Sequence, residues 1–201
     1  MPPHKADAVD NSALRRAALT LDRCLSAVEK ITLVISCSAQ ILLMLLIFFD
    51  GAMRYIANSP LRFVPDLVTL YLISAAFLLV LSYTLRQGGH INVDVFVRRL
   101  SQRLQRLLTG LAFLCAVPVV GIMSVEMTSL SWESFKQGEA LIGLYAMPLW
   151  LSKAIVAVSL IALNLRLLHL GFFNFLSGVT GNAELAIRMP SSTEHPEEEM
   201  V

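Results

Sequence analysis

The sequence predicts an all-α membrane protein with four transmembrane helices and further amphipathic helices lying on the inner membrane surface. Three observations predict it. First, 56% of the 201 residues are hydrophobic and only 15% are charged, whereas a soluble domain carries about 25% charged residues; the mean hydropathy is +0.66. Second, the missing charge is concentrated in four long apolar runs. Third, Lys and Arg crowd alternate connections between those runs.

The elements follow in order. Residues 1–30 form a tail in which Leu14, Ala17, Ala18, Leu21, Leu25 and Val28 recur at helical spacing, surrounded by Arg15, Arg16, Asp22, Arg23 and Glu29. That pattern predicts an interfacial helix attracted to anionic headgroups of the lipid bilayer. Ile31–Phe49 is a 19-residue run without charge, about 28 Å as helix and close to the ~30 Å hydrocarbon thickness. The run is longer than a signal-peptide core and is preceded by a polar tail, so it reads as an uncleaved signal anchor.

Leu67–Leu85 is the second span. Arg86, Gln87, Gly88, Gly89, His90, Ile91, Asn92, Val93 and Asp94 then form its boundary. Paired glycines stop a helix, because glycine accepts the left-handed conformation that closes the last turn. Val93, Val97, Leu100, Leu104 and Leu107 face Arg98, Arg99, Gln102, Arg103 and Arg106, predicting a second surface helix. The third span is placed at 107–127 and the fourth at 147–167, with Lys153 snorkelling to the interface. The transmembrane domain is thus 31–168. Residues 169–201, ending in a Glu-rich stretch, are a largely disordered tail.

Orientation follows from the cations. The N-terminal tail holds five Lys or Arg and the second connection five (Arg86, Arg98, Arg99, Arg103, Arg106). The first connection holds two (Arg54, Arg62) and the third one (Lys136). The positive-inside rule then puts both termini in the cytoplasm, with Trp132 and Trp150 at the outer interface.

Several function classes drop out. A net charge of +1 implies no nucleic-acid partner. Cys24, Cys37 and Cys115 have no metal-site spacing and read as small fillers in helix packing. His90 and His169 sit at the cytoplasmic edge, and His4 and His195 in the tails, so no pair is placed to ligate a haem within the spans. No catalytic triad, phosphate loop or carboxylate pair is present, and the chain is expected to be no enzyme and to hold no cofactor. Within the spans the polar groups are few: Ser36, Ser38 and Gln40 are the polar part of the first, and Pro118 and Gly121 are able to bend the third. Two ion pairs are expected near the outer rim, Asp50 with Arg54 four residues on, and Glu126 with Lys153. A chain so poor in internal polar groups reads as an accessory or scaffold subunit rather than a carrier acting alone.

Arg54-Tyr55-Ile56-Ala57-Asn58-Ser59-Pro60-Leu61 and, beyond the second span, Leu85 to Asp94 closely resemble the small, DctQ-type membrane subunit of TRAP transporters, the tripartite ATP-independent periplasmic systems. The stretch Gly143 to Lys153, with Met147-Pro148-Leu149-Trp150, also looks like that family's approach to the fourth span. The resemblance covers about residues 25 to 170. It departs where the family has an aromatic followed by two acidic residues: here Phe63-Val64-Pro65-Asp66 keeps one carboxylate, with a helix N-cap role left for Asp66. The resemblance implies a bacterial inner-membrane subunit of a sodium-coupled secondary transporter (a symport) importing a small organic acid. Its partners would be a large membrane subunit, which carries the transport sites, and a periplasmic substrate-binding protein at the outer face. Arg54, Arg62, Glu133, Lys136 and Glu139 would be docking positions. The alternatives are a membrane anchor for a redox enzyme and a self-sufficient tetraspan protein.

Overall fold

The computed structural model describes residues 5–87, 101–141 and 145–180, with side chains for all of these except 5–18 and 102. Among the described residues the protein is all-α apart from one short hairpin. Four helical stretches are long and apolar enough to cross a membrane: Leu19–Ile56, Val64–Arg86, Arg103–Gln137 and Leu149–Thr180. Three of them outrun the charge-free segments. Helix α1, Lys5–Ile56, has 52 residues, about 78 Å and more than twice the hydrocarbon thickness.

The N-terminal amphipathic segment is therefore no separate surface element, because α1 runs through it without a break. Its burial also inverts the expected face. Ser26 and Glu29 are buried while Leu21 and Val28 are about half exposed. Ser26, Glu29, Thr32, Ser36 and Ala39, all buried, follow one another at three or four residues and form a single helix stripe. Polar and small side chains face the protein and apolar ones face outward, which is the pattern that lipid as solvent favours.

The described residues fall into two compact units. The first comprises Ala27–Ser82 and Pro118–Asn164. Its core is a stripe on the second span, Val64, Val68, Leu72, Ala75, Ala76 and Leu79, packed with Ala39 of α1. This span is irregular. A four-residue α2 (Val64–Leu67) passes into a π-helical turn, Val68–Leu72, where the Ile73 amide donates to the Val68 carbonyl. Helices α3 (Ile73–Leu78) and α4 (Leu81–Arg86) follow. Hydroxyls donate into its carbonyl ladder: Ser152 Oγ to Leu70 at 2.6 Å and Ser36 Oγ to Ala76 at 2.5 Å. Side chains inserted in this way are a known cause of helix irregularity. In lipid, where apolar burial does not drive helices together, such bonds contribute about 0.6 kcal/mol each.

Helix α2 starts one turn earlier than the carboxylate at Asp66 would dictate as a cap. Phe63 occupies the cap position without a side-chain bond, and Pro65 lies in the first turn, where a missing N–H costs nothing. Asp66 is not the N-cap; it sits within that turn, where the helix dipole favours an acid.

The third long helix, α5, runs Gln102–Gln137 with Pro118 inside it. It ends in a Schellman arrangement: Glu139 N–H donates to Ser134 C=O at 3.0 Å and Gly138 N–H to Phe135 C=O at 3.4 Å. Gly138 takes φ +64°, the left-handed value this closure requires. Strands β1 (Ala140–Leu141) and β2 (Met147–Pro148) then pair antiparallel, Ala140 opposite Pro148, and deliver the chain into α6, Leu149–Thr180.

The second unit comprises described residues within Met1–Ser26, Tyr83–Val117 and Leu165–Val201. Here α5 and α6 approach through glycines. A Cβ on Gly110 would stand 2.5 Å from the Phe175 amide nitrogen, and one on Gly178 would stand 2.6 Å from Leu107 Cγ. Small residues at such crossings let backbones meet closely in lipid. Leu104, Leu107, Arg103 and Arg106 belong to α5 rather than to a surface helix. The rest of that predicted helix, with Val93 and Asp94, lies outside the described residues, as do Gly88, Gly89 and His90. Helix α6 continues to Thr180, past the predicted tail boundary at 169, because Leu170, Phe173, Asn174 and Ser177 remain buried.

Candidate functional site

Four polar constellations organise the described residues. At the end of α1, Asp50 closes the first loop. Its Oδ2 pairs with Arg54 at 3.1 Å and its Oδ1 accepts the Leu61 amide at 2.8 Å. Asn58 between them has φ 49°, which asparagine tolerates better than other non-glycine residues. Pro60, exposed, completes the turn. One carboxylate thus holds both the last turn of the helix and the loop behind it.

The second constellation holds the hairpin. Lys153 Nζ donates to Glu139 Oε2 at 3.0 Å and also to the hydroxyl of Ser134. Ser134 Oγ, on a residue 1% exposed, donates to the same carboxylate oxygen at 2.6 Å. The Ser134 hydrogen bond, and after it Lys153, holds the Glu139 carboxyl below its ordinary value of 4.5. Lys153 therefore pairs with Glu139 and not with Glu126, which is exposed on α5. The reason is Gly138: its left-handed turn folds Glu139 back beside Ser134, nearer to Lys153 than a residue three turns down the helix. Leu149 N–H to Glu139 C=O at 3.0 Å, Tyr71 Oη to Pro148 C=O at 2.7 Å and Ser131 Oγ to Trp150 C=O at 2.9 Å tie down the same segment. Trp150 also meets Phe135 edge to face at 5.4 Å.

A third group lies within the second unit. Arg166 Nη1 donates to Asp22 Oδ1 at 2.7 Å, with the arginine side chain 1% and the aspartate 28% exposed. His169 is buried beside them, its Nε2 3.9 Å from Asp22 Oδ1 and its ring 5.0 Å from that of Phe173. The fourth is Glu29, 1% exposed, whose Oε1 accepts Ser82 Oγ at 2.9 Å.

Two of these groups escaped the sequence reading. The spans are expected to hold no charge at mid-depth, and His169 to sit at the cytoplasmic edge. Instead Glu29, Arg166 and His169 are buried, on helices that extend beyond the charge-free runs. The missed signal was polar periodicity: Asp22, Ser26, Glu29 and Ser36 recur on one side of α1. Cys24, Cys37 and Cys115 are free and exposed, not fillers in the packing. Of the remaining signature residues, Arg86 closes α4, with the Gln87 amide bonded to the Tyr83 carbonyl at 3.1 Å.

Four helices long and apolar enough to cross a membrane, pinned by ion pairs and hydroxyl bonds, define a small multi-pass membrane protein. The chain belongs to the family of tripartite ATP-independent periplasmic transporters, DctQ component, which it matches over residues 43–174. No curated protein and no solved structure matches it. It is thus the small subunit of a TRAP transporter and not an enzyme, which sets aside the redox-anchor alternative.

Proposed function

We propose that this chain is the bracing subunit of a sodium-coupled importer of a small organic acid, seated in the bacterial inner membrane with both termini in the cytoplasm. In this reading the large subunit carries substrate and sodium, and a periplasmic binding protein docks from outside. The observation that carries the reading is the division of α1. Its polar stripe is consumed within the protein, while Ile31, Val34, Ile41, Met44 and Phe48, 61–68% exposed, present an apolar face over most of the span. Such a face is the natural seat for another membrane subunit. The tight loop built by Asp50, Arg54, Asn58 and Pro60, and the hairpin around Pro148 and Trp150, would set the outer docking surface, with Arg54, Arg62 and Glu133 as its charges. Gly88 and Gly89 would act as a helix stop, with Arg86, His90 and Asp94 marking the inner boundary.

Uptake into vesicles containing both membrane subunits tests this, with and without binding protein and a sodium gradient. Accumulation should require all three proteins and the gradient. Full transport after deletion of this chain would refute the bracing role.

A further inference from the structure

An apolar groove of about 420 Å³ opens between α5 and α6 in the first unit, lined by Trp132, Phe135, Trp150, Ala154, Val158 and Ile161 among others. Its hollow exists because α6 turns small residues, Ala154 and Ala157, toward it. From Trp150 to Ile161 it follows eleven residues of helix, about 16 Å. The groove ends beside two indoles, at the level where amphipathic rings mark the boundary between hydrocarbon and headgroups.

The rim supplies the complementary charge. Two lysines are near, and they differ in commitment. Lys153 is held by Glu139 and Ser134. Lys136 makes no ion pair among the described residues; its Nζ stands 5.3 Å from the centroid of the Trp132 ring, which is itself a wall of the groove. A lysine without a carboxylate partner among the described residues, held over one wall of an apolar slot in a membrane span, matches an anionic headgroup attached to a hydrocarbon chain. A partner helix, about 10 Å across, is a poor fit to a slot of this volume. We propose that this groove holds one acyl chain of a phospholipid whose phosphate rests on Lys136.

Trp132 and Trp150 are the chain's two tryptophans, and both line the groove, so intrinsic fluorescence reports on it directly. The full-length chain in detergent is titrated with phosphatidylglycerol carrying dibrominated oleoyl chains, and retained lipid is counted by native mass spectrometry of the complex with the large subunit. Quenching should saturate at one lipid per chain, and the complex should retain one phospholipid. Val158→Phe, at a 53% exposed position, and Ala154→Phe should each remove the saturable component at unchanged helical content. Lys136→Ala should weaken it about fivefold, the effect of one cation near a headgroup. Ile122→Phe, on another exposed face of α5, should change nothing. Quenching that does not saturate, or that survives both phenylalanine variants, would overturn the proposal. So would a lipid-free complex in which Val158→Cys cross-links to a helix of the large subunit.

Discussion

Arg166 and Asp22 are 144 residues apart in sequence and 2.7 Å apart in space. The guanidinium side chain is 1% exposed. Removing one member of a buried pair leaves the other uncompensated and costs about 3–5 kcal/mol, while replacing both with apolar groups is close to neutral. Arg166→Met should therefore lower the thermal midpoint in detergent strongly. The double variant Arg166→Met, Asp22→Leu should recover more than half of the loss. Equal losses in the single and double variants would show that the pair does not act as a unit.

Glycine substitutions should separate by contact. Gly110→Ala places a carbon against the Phe175 backbone, which cannot move without parting two helices, so a loss of about 2 kcal/mol or more is expected. Gly51 meets nothing within 4 Å and lies inside α1. Gly51→Ala should be stabilising by up to about 1 kcal/mol, through helix propensity alone. Thermal melts of the two variants side by side test the contrast.

The two left-handed positions make a second series. Gly138→Ala should cost about 1–2 kcal/mol and Gly138→Asn less, because asparagine visits this conformation more readily. Asn58→Gly should be tolerated and Asn58→Val should not, since a β-branched side chain at positive φ is strongly disfavoured. Hydrogen exchange of the flanking turns should report which loop opens.

The hairpin should be sensitive to acid. Glu139 has a carboxyl held below 4.5 in the folded protein, first by Ser134 and then by Lys153. A group depressed on folding stabilises fully above its unfolded value, and the contribution disappears as pH falls through the folded one. Protection of the Glu139 and Leu149 amides should therefore be flat from neutrality to about pH 5 and decline below 4.5. Glu139→Gln should remove that decline. The same acid slope in the variant would assign it to another group.

The architecture was legible because long apolar runs have one stable solution in a bilayer, where every backbone amide must be bonded within its own helix. The Asp50–Arg54 spacing of four residues was equally local. Glu126 illustrates the limit. The sequence places it near the depth of Lys153, but the lysine lies beside Ser134, about two turns further along α5, where the turn at Gly138 brings Glu139 to it; such a turn leaves no trace in helical periodicity. The face that α1 buries was hidden for a related reason. A polar stripe marks the outer side of a helix in water, while in lipid it turns inward.

Composition and cation distribution by themselves thus determined the fold class and the number of spans, because both depend on the cost of charge and of unbonded backbone in hydrocarbon. The tertiary structure alone decided that α1 is unbroken, that Arg166 lies against Asp22, that Lys153 serves Glu139, and that α5 and α6 leave a groove between them. Those outcomes depend on which side chains meet across distant segments, and no local energy term along the chain encodes that meeting.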